Sequence, residues 1–377
     1  MTLKTQQQPI DGSPLRATHA KHERTGVSPL CAKQMTAAVL YGKEHLRIEI
    51  VDVPELGPGD VLVRVRAALT CGTDVKVFRR GYHARMIQPP ALFGHELSGD
   101  IVAMGPEVEG FEIGQRVVAA NSAPCGECYY CRREQENMCD DLLFNNGAYA
   151  EYIRIPARIV RRNMLRIPDH VTYQDAALVE PLACVMRGLE ETGVRPGDTV
   201  AIIGLGPIGM MFVRMAKAVY QARVIAIGRR QTQLDRAARM GADELVLNNV
   251  GADAITPVRK LTEGRGADVV IEAVGLPEVW QLAVKLLRRG GVVNFFGGCP
   301  SGTEVGIDTH LLHYSELTLK ASFHHTPALI RKALEVVSRG SVTAKDFVNR
   351  VEPLANLREV LEHLMSHNGH LKTAIIP

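Results

Sequence analysis

Hydrophobic positions change their spacing along the chain, and these changes divide the sequence into parts. From residue 35 to about 180, short β-branched runs such as DVLVRVRAALT alternate with Gly and Pro, which predicts strands joined by turns. From residue 198, buried runs such as TVAIIGLG alternate with amphipathic helices such as IGMMFVRMAKAVY. This alternation predicts βαβ units around a parallel sheet, and therefore an α/β protein. Two further amphipathic helices and a strand-like end follow residue 322.

The first 34 residues lack this pattern. They contain a triple Gln, three prolines and no aromatic residue, so they cannot bury enough apolar surface to order themselves. We predict that residues 1–34 are a disordered extension and that the first domain starts at Met35.

Charge and hydropathy exclude several classes of protein. The chain has 377 residues and a net charge of +3, and this excess lies within residues 1–34, so the remainder is neutral. A neutral body lacks the positive field that nucleic-acid binding requires. The longest uncharged apolar run, residues 200–213, is interrupted by glycines and is shorter than the ~18 residues of a membrane span. Without an apolar leader either, the expected compartment is the cytoplasm.

A glycine-rich turn stands between the first strand and the first helix of the alternating part. Its sequence Gly204-Leu205-Gly206-Pro207-Ile208-Gly209 fits the pattern G-x-G-x-x-G. In that context the glycines permit a tight turn and close approach of a pyrophosphate to the helix N-terminus. The sequence therefore predicts a dinucleotide site.

The end of the next strand indicates which nucleotide binds there. An NAD site usually places a carboxylate at this point, on the ribose 2′-hydroxyl. Here the strand ends in Gly228-Arg229-Arg230, and two guanidinium groups can bind a 2′-phosphate. We predict a preference for NADP, with NAD possible.

Four cysteines crowd into a short segment and predict a structural zinc site. Cys125, Cys128, Cys131 and Cys139 follow the spacing C-x₂-C-x₂-C-x₇-C, which can place four thiolates around one Zn²⁺. Residues 121–146 carry a net charge of −3, which argues against a zinc module that binds nucleic acid. A closed site of this kind holds a loop together and does no chemistry.

A second group of motifs resembles a known family. Cys71-Gly72-Thr73-Asp74, the sequence Phe93-Gly94-His95-Glu96, the cysteine lobe, Glu180-Pro181 and the glycine turn occur in the order found in zinc-dependent medium-chain dehydrogenases. From Met35 to Pro377 the chain resembles the sorbitol, polyol and threonine dehydrogenase branch of that family. The resemblance implies a mostly β GroES-like catalytic domain with an inserted doubly wound Rossmann domain. We place the catalytic domain at 35–180, completed by 324–377, and the Rossmann domain at 181–323.

The same resemblance implies a catalytic zinc and a mechanism. Cys71 and His95 would bind the metal together with Glu96 or Glu180, and which glutamate binds directly stays open. Asp74 would orient His95, and Thr73 would bond the substrate oxygen and begin proton release. Zinc would lower the pKa of the alcohol, and hydride would pass to the nicotinamide.

Two positions depart from the pattern of the branch. Lys76 replaces a His that polyol and threonine enzymes commonly show five residues after the zinc cysteine. His324 and His325 replace an Arg-Tyr pair that faces the substrate in sorbitol-type enzymes. We expect these three residues to contact a substrate that is a polyol, a sugar or a cyclitol.

Other functions stay open at this point. An NAD-dependent polyol or L-threonine dehydrogenase is the nearest alternative. A zinc-free enone or quinone reductase would lack the Cys, His and Glu ligands, and a sensor without activity would need no catalytic metal. The expected partners are a small alcohol or ketone and further copies of the chain, as a homodimer or homotetramer.

Removal of the extension should leave the enzyme intact. A chain that starts at Met35 is expected to keep the melting temperature and kcat of the full chain, because every functional motif follows that residue. A large loss of either would show that the extension belongs to the fold.

Overall fold

The computed structural model describes residues 32–83, 85–248, 253–366 and 371–377. Most of the predicted extension, residues 1–31, lies outside the described residues. The first strand begins at Gln34, and the backbone N–H of Val53 donates to the Lys33 carbonyl, 2.9 Å away. The boundary predicted at Met35 therefore falls one residue inside this strand.

The first part of the chain is mainly β structure, as its short β-branched runs predict. Its strands are β1 (Gln34–Gly42), β2 (His45–Asp52), β3 (Val61–Leu69), β4 (Ala91–Leu92), β5 (Glu96–Met104), β6 (Arg116–Ala119), β7 (Ser122–Ala123), β8 (Leu143–Phe144), β9 (Tyr152–Ile155) and β10 (Met164–Arg166). Its helices are α1 (Gly72–Arg80), α2 (Ala157–Asn163), α3 (Tyr173–Ala176) and α4 (Val179–Thr192).

The second part alternates strands and helices. It contains β11 (Thr199–Ile203), α5 (Pro207–Ala218), β12 (Arg223–Gly228), α6 (Gln231–Arg239), β13 (Glu244–Leu247), α7 (Ile255–Leu261), β14 (Ala267–Glu272), α8 (Pro277–Lys285), β15 (Leu287–Phe295), α9 (Thr309–Tyr314) and β16 (Thr318–Ala321). The six strands form one parallel sheet in the order β13-β12-β11-β14-β15-β16. Counted within this part, that order is 3-2-1-4-5-6, which belongs to dinucleotide-binding folds. The predicted α/β fold class with a doubly wound sheet is confirmed.

The last part of the chain packs with the first part. It contains α10 (Pro327–Ser338), α11 (Ala344–Phe347), β17 (Val348–Pro353), α12 (Leu357–Met365) and β18 (Lys372–Ile376). Strand β18 lies between β17 and β3 in a sheet of order β10-β6-β5-β3-β18-β17, in which β9 also pairs with β3. A second sheet has the order β2-β1-β4. The final strand thus completes a sheet that the first residues began.

Register places the ends of three strands at one point. Leu69, the last residue of β3, pairs with Glu96 on β5 and with Ala374 on β18. Cys71 follows two residues after Leu69, and His95 precedes Glu96. Residues far apart in sequence therefore meet at the carboxyl end of β3.

Helix α4 joins the two halves. It begins at Val179, so the limit predicted between residues 180 and 181 falls inside this helix. Its side chains pack into a core shared by both halves, and the Gly188 carbonyl accepts a hydrogen bond from Asn294 Nδ2 on β15, 2.8 Å away. None of the helices in the described part of the chain has the length and apolar character needed to cross a bilayer.

Candidate functional site

Helix α1 begins at a cysteine that acts as its N-cap. The Cys71 thiol accepts from the backbone N–H of Thr73, 3.5 Å away, and Asp74 at the third helical position accepts from the backbone N–H of Cys71 at 3.0 Å. This reciprocal arrangement is a capping box, in which the first turn fixes both side chains. The sulfur therefore has a defined position at the end of β3.

Asp74 connects Cys71 to His95 inside the protein. Its Oδ1 lies 2.9 Å from His95 Nδ1, and its Oδ2 accepts the Tyr149 hydroxyl at 2.6 Å. Burial alone would raise the pKa of Asp74, but the charge of His95 and these hydrogen bonds hold it below its usual value. Because Nδ1 of His95 is occupied, its Nε2 is the nitrogen left for another ligand.

The approach of Tyr149 requires a glycine before His95. Gly94 has a φ of +91°, which L side chains rarely adopt, and a Cβ there would lie 2.5 Å from the Tyr149 ring. The hydroxyl of Tyr149 also lies 3.1 Å from the Leu69 carbonyl. The glycine in the sequence Gly94-His95-Glu96 thus has a packing role.

Glu96 forms an ion pair in the interior. Nζ of Lys372, the first residue of β18, lies 2.7 and 2.6 Å from the two carboxylate oxygens and 3.0 Å from the Thr70 carbonyl. Both side chains are almost fully buried, at 1% and 0% exposure. Burial raises the pKa of Glu96 despite the opposing charge of Lys372.

Glu180 lies with the two predicted substrate histidines. Ligand atoms of Glu180, His324 and His325 lie within 4.8 Å of one another, whereas those of Cys71, His95 and Glu96 form a separate set with the same spacing. Burial raises the pKa of Glu180 to about 7. The charge of His95 nevertheless acts to lower the pKa of Glu180. The set that contains Glu180 therefore lies close to the set of Cys71, His95 and Glu96.

His324 and His325 are largely shielded from solvent. His325 is 2% exposed, and its Nε2 lies 3.3 Å from Asn121 Oδ1. His324 is half-buried, and its Nε2 lies 2.5 Å from the Ser122 hydroxyl. Burial lowers the pKa of His324 to about 3, with the charges of His95, Arg187 and Arg85 acting in the same direction. Burial also lowers the pKa of His325, and the charge of His324 acts in the same direction.

Thr73 and Lys76 lie on α1 beside these sets. Thr73 is partly buried in the first turn, and Lys76 is exposed. The charge of Lys76 lowers the pKa of Glu272 at the end of β14, although burial raises it more. Lys76 therefore lies near the carboxyl edge of the parallel sheet.

The four clustered cysteines converge as a donor set. Their sulfurs lie within 4.8 Å of one another, and the Cys125–Cys131 and Cys128–Cys139 pairs are each 3.9 Å apart. Four sulfurs at ~2.3 Å from one Zn²⁺ would be about 3.8 Å apart in a tetrahedron. Backbone N–H groups of Gly126, Glu127 and Cys128 point at these sulfurs, which favours thiolates. The cluster fits zinc in spacing and chemistry.

Cys71, His95 and Glu96 also fit zinc. A thiol, an imidazole with one nitrogen already fixed by a carboxylate, and a second carboxylate are ligands that zinc accepts. Three protein ligands leave one position for water or substrate, as in catalytic zinc sites.

The glycine turn lies between β11 and α5, at the point where the sheet order reverses. Gly206 is the N-cap of α5 and Pro207 its first residue. A Cβ on Gly209 would lie 1.7 Å from the Gly204 carbonyl oxygen, so only glycine lets the helix approach the strand this closely. Such a turn at the switch point binds pyrophosphate in doubly wound folds.

The residues after β12 lie at the same sheet edge. Gly228 is buried against Leu205 of the glycine turn, and a Cβ there would lie 2.8 Å from Leu205 Cδ1. Arg229 and Arg230 are exposed, and Arg230 is the N-cap of α6. Two arginines thus follow directly after a residue that contacts the turn.

Sequence reasoning missed several residues of the site. These are Lys372, Tyr149, Asn121, Ser122 and Cys184, whose thiol lies 3.9 Å from Glu180 Oε1. Lys372 could have been predicted from the sequence, because a lysine at the start of an apolar terminal strand needs a buried partner. No local pattern distinguishes Tyr149 from an ordinary core tyrosine.

The protein combines a parallel sheet of the dinucleotide-binding type with two groups of side chains that fit zinc. This combination defines a metal- and nucleotide-dependent oxidoreductase. Comparison with known protein families agrees with this class. Residues 57–169 match the family described as alcohol dehydrogenase GroES-like domain, and residues 207–339 match that described as zinc-binding dehydrogenase.

Similarity to individual proteins indicates which branch of this oxidoreductase class the chain resembles. Sorbitol dehydrogenase of Bacillus subtilis is 31% identical over 92% of this chain and 98% of that protein. L-threonine 3-dehydrogenase of Bacillus licheniformis is 35% identical over 67% of this chain and 73% of that protein. A crystal structure from Sinorhizobium meliloti, described as a zinc-binding dehydrogenase bound to NADP, has a TM-score of 0.83 at 29% identity and covers 92% of this chain and 100% of that one. The chain belongs to the zinc-dependent medium-chain dehydrogenases, in the branch that includes polyol and threonine dehydrogenases.

This membership confirms the predicted family, fold and class of enzyme, an oxidoreductase that acts on CH–OH groups. The domain limits and the roles of individual site residues stay predictions.

Loss of Lys372 should destabilise the protein. Lys372→Met leaves a buried carboxylate without its cation, and removing one partner of such a pair costs about 3–5 kcal/mol. Urea unfolding should show this loss, whereas Lys372→Arg should retain most of the stability. The double variant Glu96→Gln/Lys372→Met should recover part of it, because no charge is then left unpaired. Unfolding of Lys372→Met at the wild-type urea concentration would contradict the assignment.

Proposed function

We propose that this protein is an NADP-preferring zinc dehydrogenase that acts on a secondary alcohol of a polyol, sugar or cyclitol. The observation that carries the proposal is the convergence of Cys71, His95 and Glu96 at the carboxyl end of β3, with Asp74 holding the imidazole. Zinc bound there would supply a Lewis acid that lowers the pKa of the substrate hydroxyl.

Each protein group then has a distinct role. Asp74, itself held by the Tyr149 hydroxyl, binds Nδ1 of His95, so that Nε2 would be the nitrogen that holds the metal. Thr73 lies in the first turn after Cys71, where its hydroxyl can take the proton of the substrate alcohol and pass it on. The four-cysteine cluster would hold a second zinc that maintains the lobe.

The geometry favours Glu96 over Glu180 as the directly bound carboxylate. Glu96 lies within 4.8 Å of both other donors of its set, whereas Glu180 forms a set with the histidines. The two carboxylate oxygens offer about four lone-pair positions, so Glu96 can accept from Lys372 and still bind a metal.

The nucleotide preference rests on Arg229 and Arg230. Gly228 puts no carboxylate at the end of β12, so nothing at that position repels a 2′-phosphate. The NADP bound to the Sinorhizobium meliloti protein is consistent with this nucleotide in the same fold. Direct bonds to a phosphate are worth about 1.5–3 kcal/mol each.

Substitution of the arginines should change the nucleotide preference. Arg229→Ala and Arg230→Ala are each expected to lower kcat/KM for NADP⁺ by roughly 10- to 100-fold, from that bond energy, with little effect on NAD⁺. Arg239→Ala is the control, since Arg239 is exposed at the far end of α6. A wild-type enzyme with a higher kcat/KM for NAD⁺ would refute the preference.

The role of Thr73 has its own test. Thr73→Val keeps the shape of the side chain and removes the hydroxyl, so kcat should fall by roughly 100-fold or more if the group relays protons. Thr73→Ser should restore most of the rate. An unchanged rate and pH profile in Thr73→Val would exclude this role.

A substrate panel tests the function itself. Polyols, sugars, cyclitols and L-threonine should be offered with both nucleotides, and reduced nicotinamide should form with a polyhydroxy alcohol. Chelation of the metal should abolish that activity. Turnover only with L-threonine, or only with enones in the reverse direction and without metal, would refute the proposal.

A further inference from the structure

The loop after α1 places an arginine beside the histidine pair, and the proposed reaction gives that arginine no role. Cζ of Arg85 lies 5.9 Å from the centroid of the Phe323 ring, within the range of a cation–π contact. The ring of Phe323 lies 5.6 Å from that of His324, which shares a donor set with Glu180. One aromatic ring therefore separates Arg85 from the catalytic centre.

Hydrogen bonds hold the loop that carries this arginine. Nδ1 of His83 accepts the backbone N–H groups of Arg85 and Met86, at 3.3 and 3.2 Å. Backbone hydrogen bonds join His83 and Ile87 in both directions, at 3.0 and 3.3 Å. Asn146 Nδ2 donates to the Met86 carbonyl at 2.6 Å. The backbone of Arg85 therefore has a defined position.

Phe323 is attached to the same part of the chain as that loop. Asn137 Nδ2 donates to the Phe323 carbonyl at 3.0 Å. Asn137 and Asn146 both lie within residues 121–146, the segment that carries the four cysteines. Two side-chain bonds from one segment thus fix the backbones of Arg85 and Phe323 relative to each other, although both side chains are exposed.

The charge of Arg85 is not compensated within the protein. No carboxylate in the described part of the chain forms an ion pair with its guanidinium group. Arg187 on α4, by contrast, is paired with Glu191 at 2.8 Å. A guanidinium group that stacks on an aromatic face keeps its N–H donors at the edge of its plane, where they can bind a carboxylate or a phosphate.

We propose that Arg85 binds an anionic group of the substrate, so that the reacting alcohol is a polyhydroxy acid or a polyol phosphate rather than a neutral polyol. Carboxylate and phosphate both accept two parallel N–H bonds from a guanidinium group. The anionic group would lie away from the reacting carbon, because Phe323 and His324 stand between Arg85 and the proposed metal donors. This inference rests on the proposed function, since it names the substrate class of the same site.

Steady-state kinetics test the substrate class. Hexitols, aldonates of the same configuration and the corresponding hexitol phosphates should be offered with the preferred nucleotide. At least one anionic probe should have a kcat/KM roughly 10- to 100-fold above that of its neutral counterpart, as expected for a hydrogen bond to a charged group. The carboxylate and phosphate series show which of the two anions is bound.

Substitution of Arg85 tests the residue. Arg85→Ala should remove the advantage of the anionic probe, chiefly through KM, whereas Arg85→Lys should keep part of it because the charge remains without the planar fork. Arg79→Ala is the control, since Arg79 is exposed in the last turn of α1. Circular dichroism should show an unchanged fold in each variant, because these side chains lie at the surface.

Binding is measured apart from turnover. Enzyme loaded with the reduced nucleotide cannot accept a hydride, so calorimetric titration with the same probes gives Kd values alone. The anionic probe should bind roughly 10- to 100-fold more tightly than the neutral one, and Arg85→Ala should abolish this difference. Added salt should weaken the binding of the anionic probe and leave that of the neutral probe unchanged.

The outcomes separate this inference from the proposed function. Oxidation of a neutral hexitol at least as efficient as that of every anionic probe, with Kd values that Arg85→Ala does not change, would refute the inference and leave the proposed function standing. An advantage of the anionic probe that persists in Arg85→Ala would also refute it, because the anion is then bound elsewhere. Tight binding of an anionic probe through Arg85 without oxidation of any alcohol would support the anion site and refute the proposed function.

Discussion

The ion pair between Lys372 and Glu96 is the interaction on which the rest of the site depends. It joins the first residue of the last strand to the residue that follows His95, in a place where neither charge reaches water. A buried pair of this kind is weak evidence for stability in itself, but breaking it is expensive. The chain therefore reaches a complete site only when β18 has entered the sheet beside β3.

The proposed metal donors and the proposed nucleotide contacts differ in how the protein holds them. Cys71 and His95 are fixed by Asp74, which is bonded to Cys71, His95 and Tyr149 at once. The arginines after β12 are exposed, as contacts to a charged, soluble cofactor must be before it binds. The proposed metal donors are therefore preorganised, whereas the proposed nucleotide contacts would gain order on binding.

Much of this organisation could be predicted from local sequence. The glycine turn, the parallel sheet and the four-cysteine lobe each have a short pattern with a physical cause, and the structure brings the predicted residues together.

The partner of Glu96 could not be found in this way, because Lys372 is 276 residues away and its contact depends on the register of β18. The division of the donors also needed coordinates: the sequence left Glu96 and Glu180 open for the first zinc, whereas the structure groups Glu96 with Cys71 and His95, and Glu180 with His324 and His325. The partial burial of His324 needed coordinates as well, because it comes from the packing of Phe144 and Phe323 against its ring.

Helix α4 connects the catalytic half of the molecule to the nucleotide sheet. Its first turn carries Glu180, and two turns later the Gly188 carbonyl is bonded to Asn294 in the nucleotide sheet. A Cβ at Gly188 would lie 2.7 Å from the ring of Phe212 on α5, so α4 packs too closely there to accept a larger residue. The helix is thus a rigid rod with one end in each half. Helix α4 thus ties the position of Glu180 to the nucleotide sheet through a hydrogen bond to its backbone rather than through a charge.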